Sequence, residues 1–224
     1  MGDLEKQGPL GSGFKSRPVH LFKMIKSILF DSGGVIVDQS QFFGRLNRIF
    51  RPKNKKKFWH EINIEAIPFC KNLISEKVFW EKIAKLNKKD PNKIPKNLWN
   101  EGYENSIKID HKVLGIIKNL KKKYRLGLVS NSIKSHEKIN KKLGIFDFFY
   151  AVILSHKVKL TKDNKRIFFL AAKKLKVKPK ECIFIDDVME FVNVAESVGM
   201  KGILFNNPKQ LISDLTKLLK QKIN

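Results

Sequence analysis

Apolar positions along the chain follow two rhythms. Five short runs, "IKSILFD" (25–31), "LGLVSN" (126–131), "AVILS" (151–155), "ECIFIDD" (181–187) and "KGILF" (201–205), are nearly unbroken and rich in Val, Ile, Leu and Phe. Runs of that length and composition predict strands buried on both faces. Between them, residues 110–124, 136–144, 166–177 and 190–199 space their apolar residues by three and four, the period of helices with one buried stripe. Gly144 and Gly199 suit helix C-caps, and a last helix is expected within "NPKQLISDLTKLLKQKI" (207–223). Strands alternating with helices predict βαβ units and a parallel sheet, an α/β fold.

Residues 40–108 interrupt that alternation. "QSQFFGRLNRIF", "KKKFWHEINIEAI" and "SEKVFWEKIAKLN" read as amphipathic helices with aromatic apolar faces, followed by a polar, Pro-containing connection, "KKDPNKIPKN". The expected organisation is a core of 24–39 and 109–224 with a helical insertion, 40–108, placed over the sheet edge as a cap. The aromatic stripes need no ligand to explain them, since an ordinary helix–helix core has the same pattern. Residues 1–23 show no hydrophobic period and contain "GPLGS", which looks like a vector scar. They are read as a leader, with Met24 as the start of the folded chain.

In parallel sheets, ligands bind beyond the C-terminal ends of the strands. Here those ends are Asp31, then Ser130–Asn131, then Asp186–Asp187, so polar and acidic groups from three strands should converge on one edge. A strand-end carboxylate followed by flexible backbone, as in "FDSGG", can act as a nucleophile toward phosphorus. Two further carboxylates close to it would repel one another unless a hard cation lay between them, and all-oxygen ligation suits Mg²⁺. Taken singly these signals are weak: Asp31 could cap a turn, Asp186–Asp187 a helix, and Ser130–Asn131 could be an ordinary turn.

Composition narrows the setting more than the chemistry. The 224 residues, 42% hydrophobic, can bury one sizeable core, and no apolar stretch is long enough for a bilayer. Two distant cysteines, Cys70 and Cys182, exclude a disulfide scaffold and fit a reducing, cytoplasmic compartment. The 46 basic against 21 acidic residues give a formal charge of +25, a field that would attract polyanions such as nucleic acid. Most of the basic residues are scattered lysines in a chain rich in Asn, Ile and Phe, which favours solvated helix faces over a nucleic-acid surface. Nothing in the pattern speaks to oligomeric state.

Four stretches, "ILFDSGGVIVD", "LGLVSNS", "SHKVKLTKDNKRIF" and "CIFIDDVMEFVNVAESVGM", resemble in order and spacing the four motifs of the haloacid dehalogenase-like hydrolase superfamily. Within it, "LISEKVFWEKI" looks like the small-capped phosphatases whose first motif reads Asp-x-Gly-[Gly/Asn]-Val, the glucose-1-phosphatase-like members among them. The resemblance implies a Rossmann-like core with a small helical cap. It also implies Mg²⁺-dependent hydrolysis of a small phosphomonoester through an aspartyl-phosphate on Asp31. By the same resemblance Asp31, Asp187, its partner Asp186 and the Gly33 carbonyl would hold the metal. Ser130, Asn131, Gly34 and Lys162 would hold the phosphoryl group, with Lys162 also orienting the nucleophile; Lys157 and Lys159 are nearby decoys.

The chain departs from that pattern in places. Gly33 stands where these phosphatases carry a second aspartate as general acid and base, and Phe191 stands where Asn or Asp is common. A metal-bound or bulk water, or the side chains of His60, Glu61 and His156, are candidate substitutes, His156 as an exposed loop residue. Two other readings follow: a weakly active or inactive protein with a polyanion-binding surface, or a 2-haloacid dehalogenase, whose halide leaving group needs no proton. The intact Asp186–Asp187 pair favours phosphate.

Overall fold

The computed structural model describes residues 25–95 and 97–223; the leader reading of 1–23 and the Met24 start lie outside them. In chain order the elements are β1 (Ser27–Phe30), β2 (Val37–Asp38), α1 (Ser40–Phe50), α2 (Lys55–Cys70), α3 (Glu76–Leu86), α4 (Leu98–Glu104) and β3 (Lys108–Ile109). Then follow α5 (His111–Lys121), β4 (Arg125–Ser130), α6 (Lys134–Lys142), β5 (Ala151–Leu154), the single turn α7 (Ser155–Val158) and α8 (Lys165–Lys174). The chain ends with β6 (Cys182–Asp186), α9 (Met189–Glu196), β7 (Lys201–Leu204) and α10 (Pro208–Leu219).

The five expected strands form one parallel sheet in the order β5-β4-β1-β6-β7. β1 is central, with Phe30 opposite Leu128 of β4 on one side and Ile185 of β6 on the other. Successive side chains point to opposite faces, and both faces are covered. Ile28 and Phe30 pack toward α5, α6 and α10 through Ile117, Ile139 and Leu211. Leu29, Val129 and Phe184 pack toward α8 and α9 through Phe168, Ala171 and Ala195.

Several helices start where a side chain accepts from otherwise unpaired N–H groups. Asp110 Oδ1 accepts from Lys112 N and Val113 N at 2.9 and 3.1 Å, Asn164 from Arg166 N at 3.0 Å, and Asn207 from Gln210 N at 3.0 Å.

Helices α1–α4 lie between β2 and β3, which pair antiparallel, Val37 opposite Ile109 and Asp38 opposite Lys108. Two-residue strands carry no periodicity, so this joint was invisible in the sequence, as was the short helix α4. The aromatic stripes form a shared core of Phe42, Phe50, Phe58, Phe79 and Trp80, with Phe69 stacked on Phe79 at 5.2 Å. No helix among the described residues is long and apolar enough to cross a membrane.

Candidate active site

The sheet order places the strands that carry the acidic ends side by side. The run down β1 ends on Asp31, whose N–H donates to Ile185 O of β6 at 2.9 Å. β6 then delivers Asp186 and Asp187 at the same height. This is where the strand order reverses, the usual ligand crevice of an open parallel sheet.

After Asp31 the chain turns sharply. Ile36 N and Val37 N both donate to Ser32 O at 2.9 Å, and Gly34 N donates to Val37 O at 2.8 Å. Gly34 has φ +81°, and a Cβ there would lie 2.0 Å from Asp187 Oδ2, so only glycine fits beneath that carboxylate. Gly34 thus packs against Asp187, while Gly33 lines the cavity above.

Asp31 and Lys162 are buried, and Asp186 is wholly inaccessible. Lys162 Nζ lies 2.9 Å from Asp31 Oδ1 and donates to Asp186 Oδ2 at 2.6 Å, bridging the two strand ends. The other oxygen of Asp186 accepts from Val188 N at 2.9 Å. Asn131 Oδ1 accepts from Lys162 N at 2.9 Å, which ties the end of β4 to the lysine loop. The Phe191 ring, with its centroid 4.7 Å from Lys162 Nζ, presents a π face to the ammonium in place of a hydrogen-bond acceptor.

Charge in this pocket is unbalanced. Burial pushes the Asp31 carboxyl up to about 8; Lys162 opposes that shift, and Asp186 and Asp187 add to it. Asp187 is pushed up to about 6, by burial first and then by Asp186. For Lys162, burial would depress the ammonium, but Asp186 and Asp31 outweigh it and hold it above the ordinary lysine value. Asp31, Asp186 and Asp187 can each bring one oxygen within 4.8 Å of the others. Three clustered carboxylates against one ammonium, with oxygen donors only, make a fitting site for a small hard divalent cation.

Above this floor lies a cavity of about 390 Å³. Asp31, Ser130, Asn131, Lys162 and Asp187 line it from the sheet side, whereas Phe43, Trp59, Ile62, Ile67 and Trp99 line it from the helical segment. Of the candidate proton donors, His60 lines the cavity. Glu61 instead accepts from Asn87 Nδ2 at 3.3 Å. His156 corrects the expectation of an exposed loop residue. It is buried, with Nε2 2.9 Å from Glu137 Oε2 and Nδ1 3.2 Å from Ser132 Oγ, and is not among the cavity-lining residues. The decoy lysines are engaged elsewhere, Lys157 with Glu137 and Lys159 with Lys71 O at 2.8 Å.

Sequence reasoning missed a polar chain that joins the Asp31 turn to the helical segment. Asn140 Nδ2 donates to Ser32 Oγ at 3.2 Å, Tyr103 OH donates to Asn140 Oδ1 at 3.4 Å, and the Gln39 side chain lies beside Tyr103. His136 stacks on Tyr103 with ring centroids 3.7 Å apart. These residues come from separate helices and a linker, each a lone polar position with no motif around it.

Three known proteins illustrate the likeness. YhcW of Bacillus subtilis, which bears a provisional phosphatase name, is 25% identical over 197 residues, 82% of this chain and 84% of its own. The glyceraldehyde 3-phosphate phosphatase of Methanopyrus kandleri is 36% identical over 89 residues, and that match spans 38% of each chain. A structure of the HAD family enzyme bt-2542 from Bacteroides thetaiotaomicron, a magnesium complex, superposes with a TM-score of 0.62 at 25% identity. It covers 82% of this chain and 94% of that one. The model of the haloacid dehalogenase-like hydrolases matches residues 25–198, from the first strand through the acidic pair and past α9. With its parallel sheet, its buried strand-end carboxylates and this match, the chain belongs to the haloacid dehalogenase-like hydrolase family.

Proposed function

We propose that the protein is a Mg²⁺-dependent phosphatase of a small phosphomonoester, working through an aspartyl-phosphate on Asp31. The observation that carries this reading is Asp31 at the floor of the cavity, held against Lys162 and beside Asp186 and Asp187. The phosphatase names among the relatives and the magnesium complex of a structural neighbour support it.

Asp31, Asp187 and the Gly33 carbonyl would hold the metal, with Asp186 fixing the lysine that faces them. When bound, Mg²⁺ supplies the positive charge that keeps Asp31 ionised and offsets the phosphate. Asp31 Oδ attacks phosphorus, and the leaving oxygen departs with the bonding pair. Water then attacks the same phosphorus and frees Asp31. Lys162 stays charged throughout and holds Asp31 in line, while Ser130 and the backbone beside Asn131 meet the transferring oxygens. Residues 40–108 act as a cap that closes water out over the core of 24–39 and 109–224. A dehalogenase would need no metal and would not usually keep the acidic Asp186–Asp187 pair, which leaves Asp187 without a cation to hold.

The test is a panel of phosphomonoesters assayed with and without Mg²⁺. Activity should require the ion and fall by at least about 10³-fold in Asp31→Asn, the scale set by loss of a covalent nucleophile. Full activity in that variant overturns the assignment.

A further inference from the structure

The space beside Gly33 is not empty. A Cβ built on Gly33 would lie 2.6 Å from Gln39 Nε2 and 3.0 Å from both Cδ and Oε1 of the same side chain. A carboxamide therefore fills the place where a side chain at position 33 would begin, next to the turn that follows Asp31. Gln39 is half-buried, lines the cavity and lies beside Tyr103, which is itself anchored through Asn140 to Ser32. An amide can donate a hydrogen bond, but it has no proton to give at neutral pH.

The three atoms nearest a Cβ at Gly33 all belong to Gln39, so no titratable side chain stands closer to that place. His60, Asp163 and Glu190 line the cavity but are exposed. His136 is deep in the wall, and burial with His156 nearby pushes it down to about 3, so its ring is neutral. The cavity wall from the helical segment is largely apolar and aromatic, with Phe43, Trp59, Ile62, Ile67 and Trp99 beside His60 and Asn63.

We propose that Gln39 occupies the proton donor's place as a hydrogen-bond donor only, and that the site is built for phosphomonoesters of phenols, whose oxygen leaves as a stable anion. This rests on the phosphatase reading above and names its substrate class. In the first step the Asp31 Oδ–P bond forms as the P–O(aryl) bond breaks. The aryl oxygen keeps the electron pair, accepts an N–H hydrogen bond from Gln39, and takes its proton from water after departure. In the second step a water oxygen bonds to phosphorus and the Asp31–P bond breaks with its electron pair on the carboxylate; both of the water's protons leave on the released phosphate, which gives one up to bulk solvent. No residue at Gln39's place can deprotonate that water, so the second step is the slower one.

The experiment compares kcat/KM at saturating Mg²⁺ for p-nitrophenyl phosphate, phenyl phosphate and glycerol 3-phosphate. The alkyl ester should trail the aryl esters by about 10²–10⁴-fold, the range a missing proton donor accounts for. Rapid mixing with p-nitrophenyl phosphate should release a burst approaching one p-nitrophenolate per enzyme. Gln39→Glu places an ionisable carboxyl at the same position, and it should raise kcat/KM for glycerol 3-phosphate by about tenfold or more and so narrow the aryl-to-alkyl ratio. As a readout apart from turnover, phenylphosphonate should quench the fluorescence of Trp59 and Trp99 at concentrations where methylphosphonate does not.

Equal kcat/KM for alkyl and aryl esters overturns the proposal while leaving the phosphatase reading intact. An aryl preference that Gln39→Glu does not relax overturns the role of Gln39. Hydrolysis of no ester, with no burst, overturns both.

Discussion

Lys162 Nζ sits 2.9 Å from Asp31 Oδ1, although the two residues lie in opposite halves of the chain. Both are buried, and the ammonium is shared with Asp186 at 2.6 Å. Removing one partner from such a group strands the others without compensation, which typically costs about 3–5 kcal/mol. Lys162→Met should therefore lower stability by that amount in metal-free buffer and abolish turnover. Urea unfolding with a chelator present checks it, and an unchanged midpoint would contradict the arrangement.

Asp187 stands at the outer side of the acidic cluster, exposed to the cavity. If it holds the metal, Mg²⁺ stabilises the native chain by about 2.7 kcal/mol at a hundredfold excess over Kd. Asp187→Asn should lose most of that Mg²⁺-dependent gain in thermal unfolding and still fold without the ion. A variant that keeps the full gain would move the metal elsewhere.

Gly34 tolerates no side chain, because a Cβ would sit 2.0 Å from Asp187 Oδ2 and φ is +81°. The left-handed backbone costs a non-glycine residue roughly 1–2 kcal/mol. Displacement of the carboxylate should add about a 10²-fold loss of activity, the scale of an ångström-level misplacement in a catalytic site. Gly34→Ala combined with Mg²⁺ titration measures both effects; near-native activity would show that Asp187 can shift without consequence.

Acid should destabilise the fold partly through His136. Burial and His156 push this ring down to about 3, and its Nε2 has no hydrogen-bond partner among the described residues. The unfolded chain takes up a proton near the ordinary histidine value of about 6.5, whereas the folded chain does not until far lower pH. The contribution is thus fully present above about 6.5 and lost as pH falls toward 3, by at most about 1.4 kcal/mol per pH unit. In His136→Phe the stability loss between pH 7 and 5 should shrink accordingly, as read from urea midpoints. An unchanged pH slope would mean that the native ring takes up its proton over the same range as the unfolded one.

Much of the fold was legible along the chain because its signals are local. Each strand is a run of apolar residues buried on both faces, and each core helix repeats by three and four, so the α/β architecture follows from order and spacing, whereas the family was read from the resemblance of four motifs. Asp31, Ser130 and Asp186–Asp187 were readable for the same reason. They end predicted strands, and parallel strands bring their C-terminal ends together.

The stretch "SILFDSGGVIVD" (27–38) shows where that legibility stops. Its missing second carboxylate could be read from Gly33, but not what fills the space, because Gln39 reaches it only after a tight turn brings Val37 back beside Gly33. Lys162 could not be told from Lys157 and Lys159 by type, since one lysine resembles another until burial and two carboxylates single it out. His156 looked like a loop residue and is buried, because its partners Ser132 and Glu137 come from other segments. The sequence alone carries the order of strands and the residues at their ends, because periodicity is a property of neighbours in the chain. The shape of the cavity and the charge balance on its floor arise from contacts between distant segments, and the amide beside Gly33 from the closure of a tight turn, and these exist only once the chain is folded.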